Sequence, residues 1–164
     1  MSSLHLYIAG KVSKNSQFGT HHWRESFCAD LAQRSNLNLR NIDPLKNLQA
    51  HETPSQIFKQ CVKQINNADV VVVYFSDDIS VGGSQEVLIA KYLNKPVIGY
   101  APLGGKFNGC EREMFGRVIK DFKDPFVFAT CDVVCGTLDE VATSLRSLKS
   151  MTIKNLSLIN EALE

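Results

Sequence analysis

The chain has 164 residues, enough for one domain with a sizeable core and too few for two. Apolar residues make up 44%, charged residues 21%, and the formal net charge is +1, which excludes an intrinsically disordered chain and a dedicated polyanion binder. No apolar run approaches the roughly 18 residues that span a bilayer, and Met1-Ser2-Ser3-Leu4-His5 lacks the basic segment and apolar run of an export signal, so a cytoplasmic protein is expected, with no membrane and no nucleic-acid polymer among its partners.

Leu4 to Ala9 runs into Gly10 and reads as a first strand. Trp23, Phe27, Leu31 and Ala32 have helical spacing and predict a helix over 23–35. Leu37 to Ile42 reads as a second strand stopping at Asp43-Pro44, and Ile57, Phe58, Val62 and Ile65 predict a helix over 55–66. Val70 to Phe75 is apolar on both faces and β-branched, as a central strand of a two-sided parallel sheet should be. A helix is expected over 84–93, a strand over 96–100, a helix over 111–122 and a further strand in the apolar run 126–129. Thr137 with Glu140 three residues on is a helix-start pattern, opening a helix over 138–148. This alternation predicts an α/β fold, a Rossmann-like open parallel sheet of about five strands with helices on both faces, occupying residues 1–150. Residues 151–164 read as one more helix or a docking tail.

The five cysteines, Cys28, Cys61, Cys110, Cys131 and Cys135, are odd in number and lack zinc-ligand spacing, so most read as small core hydrophobes and no metal is expected.

In such a sheet ligands bind beyond the carboxyl ends of the strands, which selects Gly10-Lys11, Asp43, Asp77 to Glu86, Tyr100 to Gly105 and Cys131 to Gly136. Within that set, Ser76-Asp77-Asp78-Ile79-Ser80-Val81-Gly82-Gly83-Ser84-Gln85-Glu86 follows the most buried strand and opens a helix. Paired glycines at a strand-to-helix turn let a ligand approach the backbone, and the first amides of the helix favour a phosphate. Ser80 and Ser84 add hydroxyls, and Glu86 falls in the first helical turn, where a charge at a helix start would by itself be unremarked. Gly104-Gly105-Lys106 is too short for a phosphate-binding P-loop. A polar loop over 13–20, followed by His21-His22-Trp23-Arg24, is placed to fold over the site, where Lys11 or Arg24 would meet a phosphate; a surface charge is the equal alternative for Arg24.

The order Tyr7-Ile8-Ala9-Gly10, Asp69 at the third strand, Ser80 six residues before Glu86, then Ala90 and Lys95-Pro96-Val97-Ile98, resembles the nucleoside 2-deoxyribosyltransferase-like family, in particular its branch of 2′-deoxynucleoside 5′-phosphate N-hydrolases. The resemblance spans roughly Leu4 to Leu148. It implies a Rossmann-like sheet, a homodimer or larger assembly, and cleavage of a base–sugar bond in a nucleotide or nucleoside with no cofactor. It places the nucleophile at Glu86, its positioning tyrosine at Tyr7 and a phosphate-binding serine at Ser80, with Gly82, Gly83 and Ser84 as further donors. A carboxylate suits the first role because the anomeric carbon becomes oxocarbenium-like as the base departs. Where the family has a catalytic acid, eight residues before Asp69, this chain has Cys61. A thiol is a poor proton donor to a departing base, which leaves Asp77, Asp78 and Asp43 as candidate acids. It also leaves two alternatives to a hydrolase: a deoxyribosyltransferase, and a nucleotide sensor without catalysis. The glycine pair is shared with cytokinin-activating phosphoribohydrolases, whose longer glycine-threonine motif is missing here.

Overall fold

A computed structural model describes residues 3–11, 23–43, 46, 52–77 and 79–164. In chain order the elements are β1 (Leu4–Ala9), α1 (Trp23–Ser35), β2 (Leu39–Ile42), α2 (Pro54–Asn67), β3 (Val70–Tyr74), α3 (Val81–Tyr92), β4 (Val97–Tyr100), β5 (Asn108–Met114), β6 (Arg117–Lys123), α4 (Pro125–Thr130), β7 (Val133–Cys135), α5 (Leu138–Arg146) and α6 (Ser157–Glu161). Five strands form one parallel sheet in the order β2-β1-β3-β4-β7. From β1 the chain crosses outward to β2 and then back past β1 to β3. The switch point therefore lies between β1 and β3, where this kind of sheet opens a crevice at its carboxyl edge.

Each face of the sheet carries its own core. Leu6, Ile8, Val70, Val72 and Ile98 pack with Trp23, Phe27 and Leu31 of α1 and with Val141 and Leu145 of α5. Tyr7, Ala9, Val71, Val73 and Val97 pack with Ile65 of α2, with Val87 and Ala90 of α3 and with Val127 of α4. The alternation along β1 thus sends Leu6 and Ile8 one way and Tyr7 the other, as strand geometry requires. The open parallel sheet with helices on both faces is the architecture expected from the sequence.

Two expected elements differ. The stretch expected as a helix over 111–122 is an antiparallel hairpin of β5 and β6, outside the main sheet. Phe115 and Gly116 at its tip both have positive φ, at 54° and 70°, the geometry of a two-residue turn that follows strand twist. The apolar run 126–129, expected as the fifth strand, is helix α4. Asp124 caps it, its Oδ1 accepting from the amides of Phe126 and Val127 at 3.0 and 3.1 Å, and Pro125 fills the first helical position. The fifth strand is β7 instead. Cys131 and Asp132 consequently lie at the amino edge of the sheet, where an Asp132 oxygen accepts from the Val97 amide at 2.6 Å, and not at the ligand edge.

The residues after 150 are tied down at Lys154. Its amide donates to Asp132 at 2.6 Å, and its ammonium donates to the carbonyls of Phe128, Ala129 and Cys131, closing the carboxyl end of α4. α6 follows with Ile159 exposed. No helix among the described residues is long and apolar enough to cross a membrane.

Candidate active site

The switch-point crevice brings together one side chain from each of four elements. Tyr7 of β1 is fully buried, and its hydroxyl donates to Glu86 Oε1 of α3 at 2.7 Å. Cys61 of α2 is half-buried and lies beside the same Tyr7 hydroxyl. Arg24 of α1 is 2% exposed and reaches in from the opposite face of the sheet. The sequence pairs Tyr7 with Glu86 through the family resemblance alone; the fold supplies the contact.

Burial pushes the Glu86 carboxyl above the ordinary carboxylate range, against the opposing pull of the Tyr7 hydroxyl and the Arg24 charge. Tyr7 is held firmly neutral by burial and by its acidic neighbour Glu86. Burial also raises the Cys61 thiol, and Glu86 adds to that, while the Tyr7 hydroxyl works against it. Arg24 is lowered by burial but held up by Asp43, Glu86 and Tyr7. The arrangement is therefore a half-buried carboxylate, a neutral phenol that donates to it, a protonated thiol and a buried cation. Such environments are typical of reacting carboxylates, because the charged form is held ready in poor solvent.

The turn before α3 behaves differently from its expected role. The Ser80 hydroxyl caps the helix, accepting from the Gly83 amide at 3.2 Å, and donates to the Gly10 carbonyl at 3.2 Å. Gly83 is buried beneath Gly10: a Cβ there would meet the Gly10 amide nitrogen at 3.3 Å. The second glycine thus serves close packing of α3 on β1. Gly82 is exposed and faces open space, so its amide and that of Val81 are the first-turn groups left to an anion. Ser84 is exposed and donates to the Val81 carbonyl at 2.7 Å, on the flank of α3 away from Tyr7.

Among the remaining expected residues, Gly10 ends β1 so tightly against Trp23 that a Cβ would come within 3.0 Å of its ring. The carbonyl of half-buried Lys11 accepts from the Trp23 indole at 3.0 Å and from Arg24 at 3.3 Å. Asp43 is half-buried at the end of β2, within reach of the Arg24 field. Asp77 is exposed, and its carboxylate accepts from the Lys106 amide at 2.9 Å, which commits it to the turn at 105–106. Asp78 and residues 12–22 lie outside the described residues. No group of three or more metal-ligating side chains occurs among the described residues.

Of the two alternatives for Arg24, the surface charge is excluded: the side chain is buried and bonded to backbone carbonyls. Cys61, at the position of the missing acid, lies beside the Tyr7 hydroxyl and in the field of Glu86.

A second crevice opens on the other flank of α3. It holds a cavity of about 400 Å³ lined mainly by apolar side chains, including Phe75, Val87, Leu88, Phe107, Phe126 and Val127. Neither Tyr7 nor Glu86 lines it, so this cavity and the Glu86 carboxylate lie apart.

No family model and no curated protein matches the chain. Among solved structures, a conserved protein from Enterococcus faecalis V583 superposes with a TM-score of 0.65 at 11% identity, covering 90% of this chain and 99% of that one. The two share a fold. A 2-desoxiribosyltransferase from Leishmania mexicana gives 0.48 at 18% identity, covering 77% of this chain and 95% of that one. The CMP N-glycosidase BcmB of Clostridium botulinum gives 0.47 at 14% identity, covering 86% of this chain and 96% of that one. These two bear names from the enzyme class that the motif order resembles; their superposition is too loose to align individual residues.

Proposed function

We propose that the protein is an N-glycosidase that cleaves the base–sugar bond of a nucleoside or deoxynucleoside 5′-monophosphate. The observation that carries this reading is the half-buried Glu86 carboxylate, held by the Tyr7 hydroxyl at 2.7 Å at the switch point of the sheet, with its proton affinity raised by its surroundings. Tyr7 fixes one oxygen and leaves the other to attack the anomeric carbon. The base departs with its bonding electrons and takes up a proton, and a covalent glycosyl-Glu86 forms. Water then attacks the same carbon, returning the carboxylate and releasing sugar phosphate. A second base in place of water would make the protein a transferase.

The phosphate is assigned to the amides of Val81 and Gly82, with Ser80 shaping that turn and Lys11 at the adjoining strand end. This keeps Ser80 in the phosphate site as a shaping group whose hydroxyl is already engaged. The thiol of Cys61 or a water beside it supplies the proton to the base, and Asp43, at the end of β2, is an alternative donor. The exposed stripe of Val81, Leu88 and Tyr92 along α3 supports self-association, as expected for this family, to be read as mass in solution by light scattering.

Cys61 also favours a second reading, a sensor that binds nucleotide without turnover. Incubation with a panel of nucleosides and nucleoside monophosphates separates the two. Free base released by the wild-type chain and not by Glu86→Ala supports the enzyme. Thermal stabilisation by a nucleotide with no base released supports the sensor, and neither effect contradicts both.

A further inference from the structure

Arg24 brings its charge to the floor of the crevice from the far face of the sheet. Its Nε donates to the Ile8 carbonyl at 2.9 Å, and its Nη2 donates to the carbonyls of Gly10 and Lys11, each at 3.3 Å. The guanidinium lies over the Trp23 ring, 4.6 Å from its centroid. Its third nitrogen, Nη1, is buried without a hydrogen-bond partner.

The Gly10 carbonyl has a second donor. Ser80 Oγ reaches it at 3.2 Å while capping α3 through the Gly83 amide. One carbonyl therefore joins a cation on one face of the sheet to the first turn of the helix on the other. Glu86 follows Ser80 on that helix. Around the carboxylate stand Tyr7 from β1, Cys61 from α2 and Arg24 from α1; Asp43, at the end of β2, shares the field of Arg24.

We propose that Arg24 is a positioning residue for Glu86: through the Gly10 carbonyl and Ser80 it sets α3 on β1, and it brings a fixed charge to the side of the sheet strand that carries Tyr7. Its role is split between geometry and charge, and two substitutions separate them. Arg24→Gln removes the charge. Arg24→Lys keeps the charge and loses the planar fork that spans three carbonyls. For turnover the inference rests on the glycosidase reading; for the titration of Glu86 it does not.

The test uses the full chain labelled with carboxyl ¹³C-glutamate, with the Glu86 signal assigned by its loss in Glu86→Gln. In Arg24→Gln the Glu86 midpoint is expected to rise by about one pH unit. In Arg24→Lys it is expected to stay near the wild-type value, while kcat on a nucleoside monophosphate falls about tenfold and KM holds. A folded Arg24→Gln with an unchanged midpoint overturns the charge role, and Arg24→Lys with wild-type kcat overturns the geometric one. Should Arg24→Gln fail to melt cooperatively, Arg24→Lys decides alone: a midpoint that rises despite the retained charge contradicts the proposal. A wild-type protein with no turnover contradicts the glycosidase reading and leaves the titration to decide on Arg24.

Discussion

Helix α3 carries a half-buried charge at its middle and a fully buried one near its end. At its middle, not in the first turn as the sequence suggests, Glu86 accepts from Tyr7 through one oxygen, and no described residue donates to the other. Near its end Lys91 is fully buried and ion-paired with the equally buried Asp132, whose oxygens also accept from the amides of Val97 and Lys154 at 2.6 Å each. The pair at the amino edge joins α3, β4, β7 and the tail. The difference teaches how to read buried charge: one matched oxygen for donor ties elements together, and one left with a spare oxygen at the ligand edge is equipped to react.

Glu86→Gln puts this contrast under the heaviest load. Base release is expected to fall on the order of 10³-fold or more, measured by chromatography of free base. Stability should move the other way. The folded chain holds the Glu86 proton more tightly than the unfolded chain, so ionising it lowers stability as pH rises from the ordinary carboxylate range through the folded value. The glutamine variant escapes this loss, and its melting temperature should exceed wild type at pH 7–8 and match it near pH 4. A variant less stable at both pH values would break the comparison.

Asp132→Asn attacks the other end. It leaves Lys91 buried without its counter-charge, and about 3–5 kcal/mol of stability should disappear in urea unfolding while activity per folded molecule holds. Tyr7→Phe comes next. Loss of a hydrogen bond to a charged group, worth about 1.5–3 kcal/mol, should lower kcat roughly 10–100-fold. It should also move the acidic limb of the pH–rate profile upward, because the phenol helps to keep Glu86 ionised. Cys61→Asp should have the smallest effect, an increase in kcat of about tenfold, since a carboxylic acid protonates a departing base better than a thiol. No change there would mean that the proton comes from elsewhere.

The sequence and the fold agree where one signal dominates. Val70 to Val73 are all β-branched, and with Tyr74 they form the fully buried central strand; Thr137 and Glu140 cap α5 as the pattern says. They disagree where two signals compete. In 126–129 an apolar run suggests a strand, but Asp124-Pro125 just before it is a helix start, and the cap prevails. In 111–122 the charges fit a helix, while Gly116 and the β-branched Val118-Ile119 favour the hairpin that forms. The site was legible at Glu86 and Tyr7 through motif order. Arg24 was not, because nothing local in the sequence tells that a helix-start arginine will turn inward to the carbonyls of a neighbouring strand. Ser80 reads from the sequence as a phosphate-binding hydroxyl before a helix starting at 84; its place as the cap of a helix that begins at Val81, and its bond to Gly10, depend on how α3 packs against β1.

The central claim is that Glu86 becomes covalently bonded to sugar during turnover. A 2-fluoro-substituted nucleoside monophosphate, which slows release of the glycosyl-enzyme, followed by intact-mass and peptide mass spectrometry, tests it directly. The account predicts a gain of one fluoro-sugar phosphate on the peptide containing Glu86, and none in Glu86→Gln. Base release by the wild-type chain with that adduct on another residue, or with no adduct at all, would contradict it.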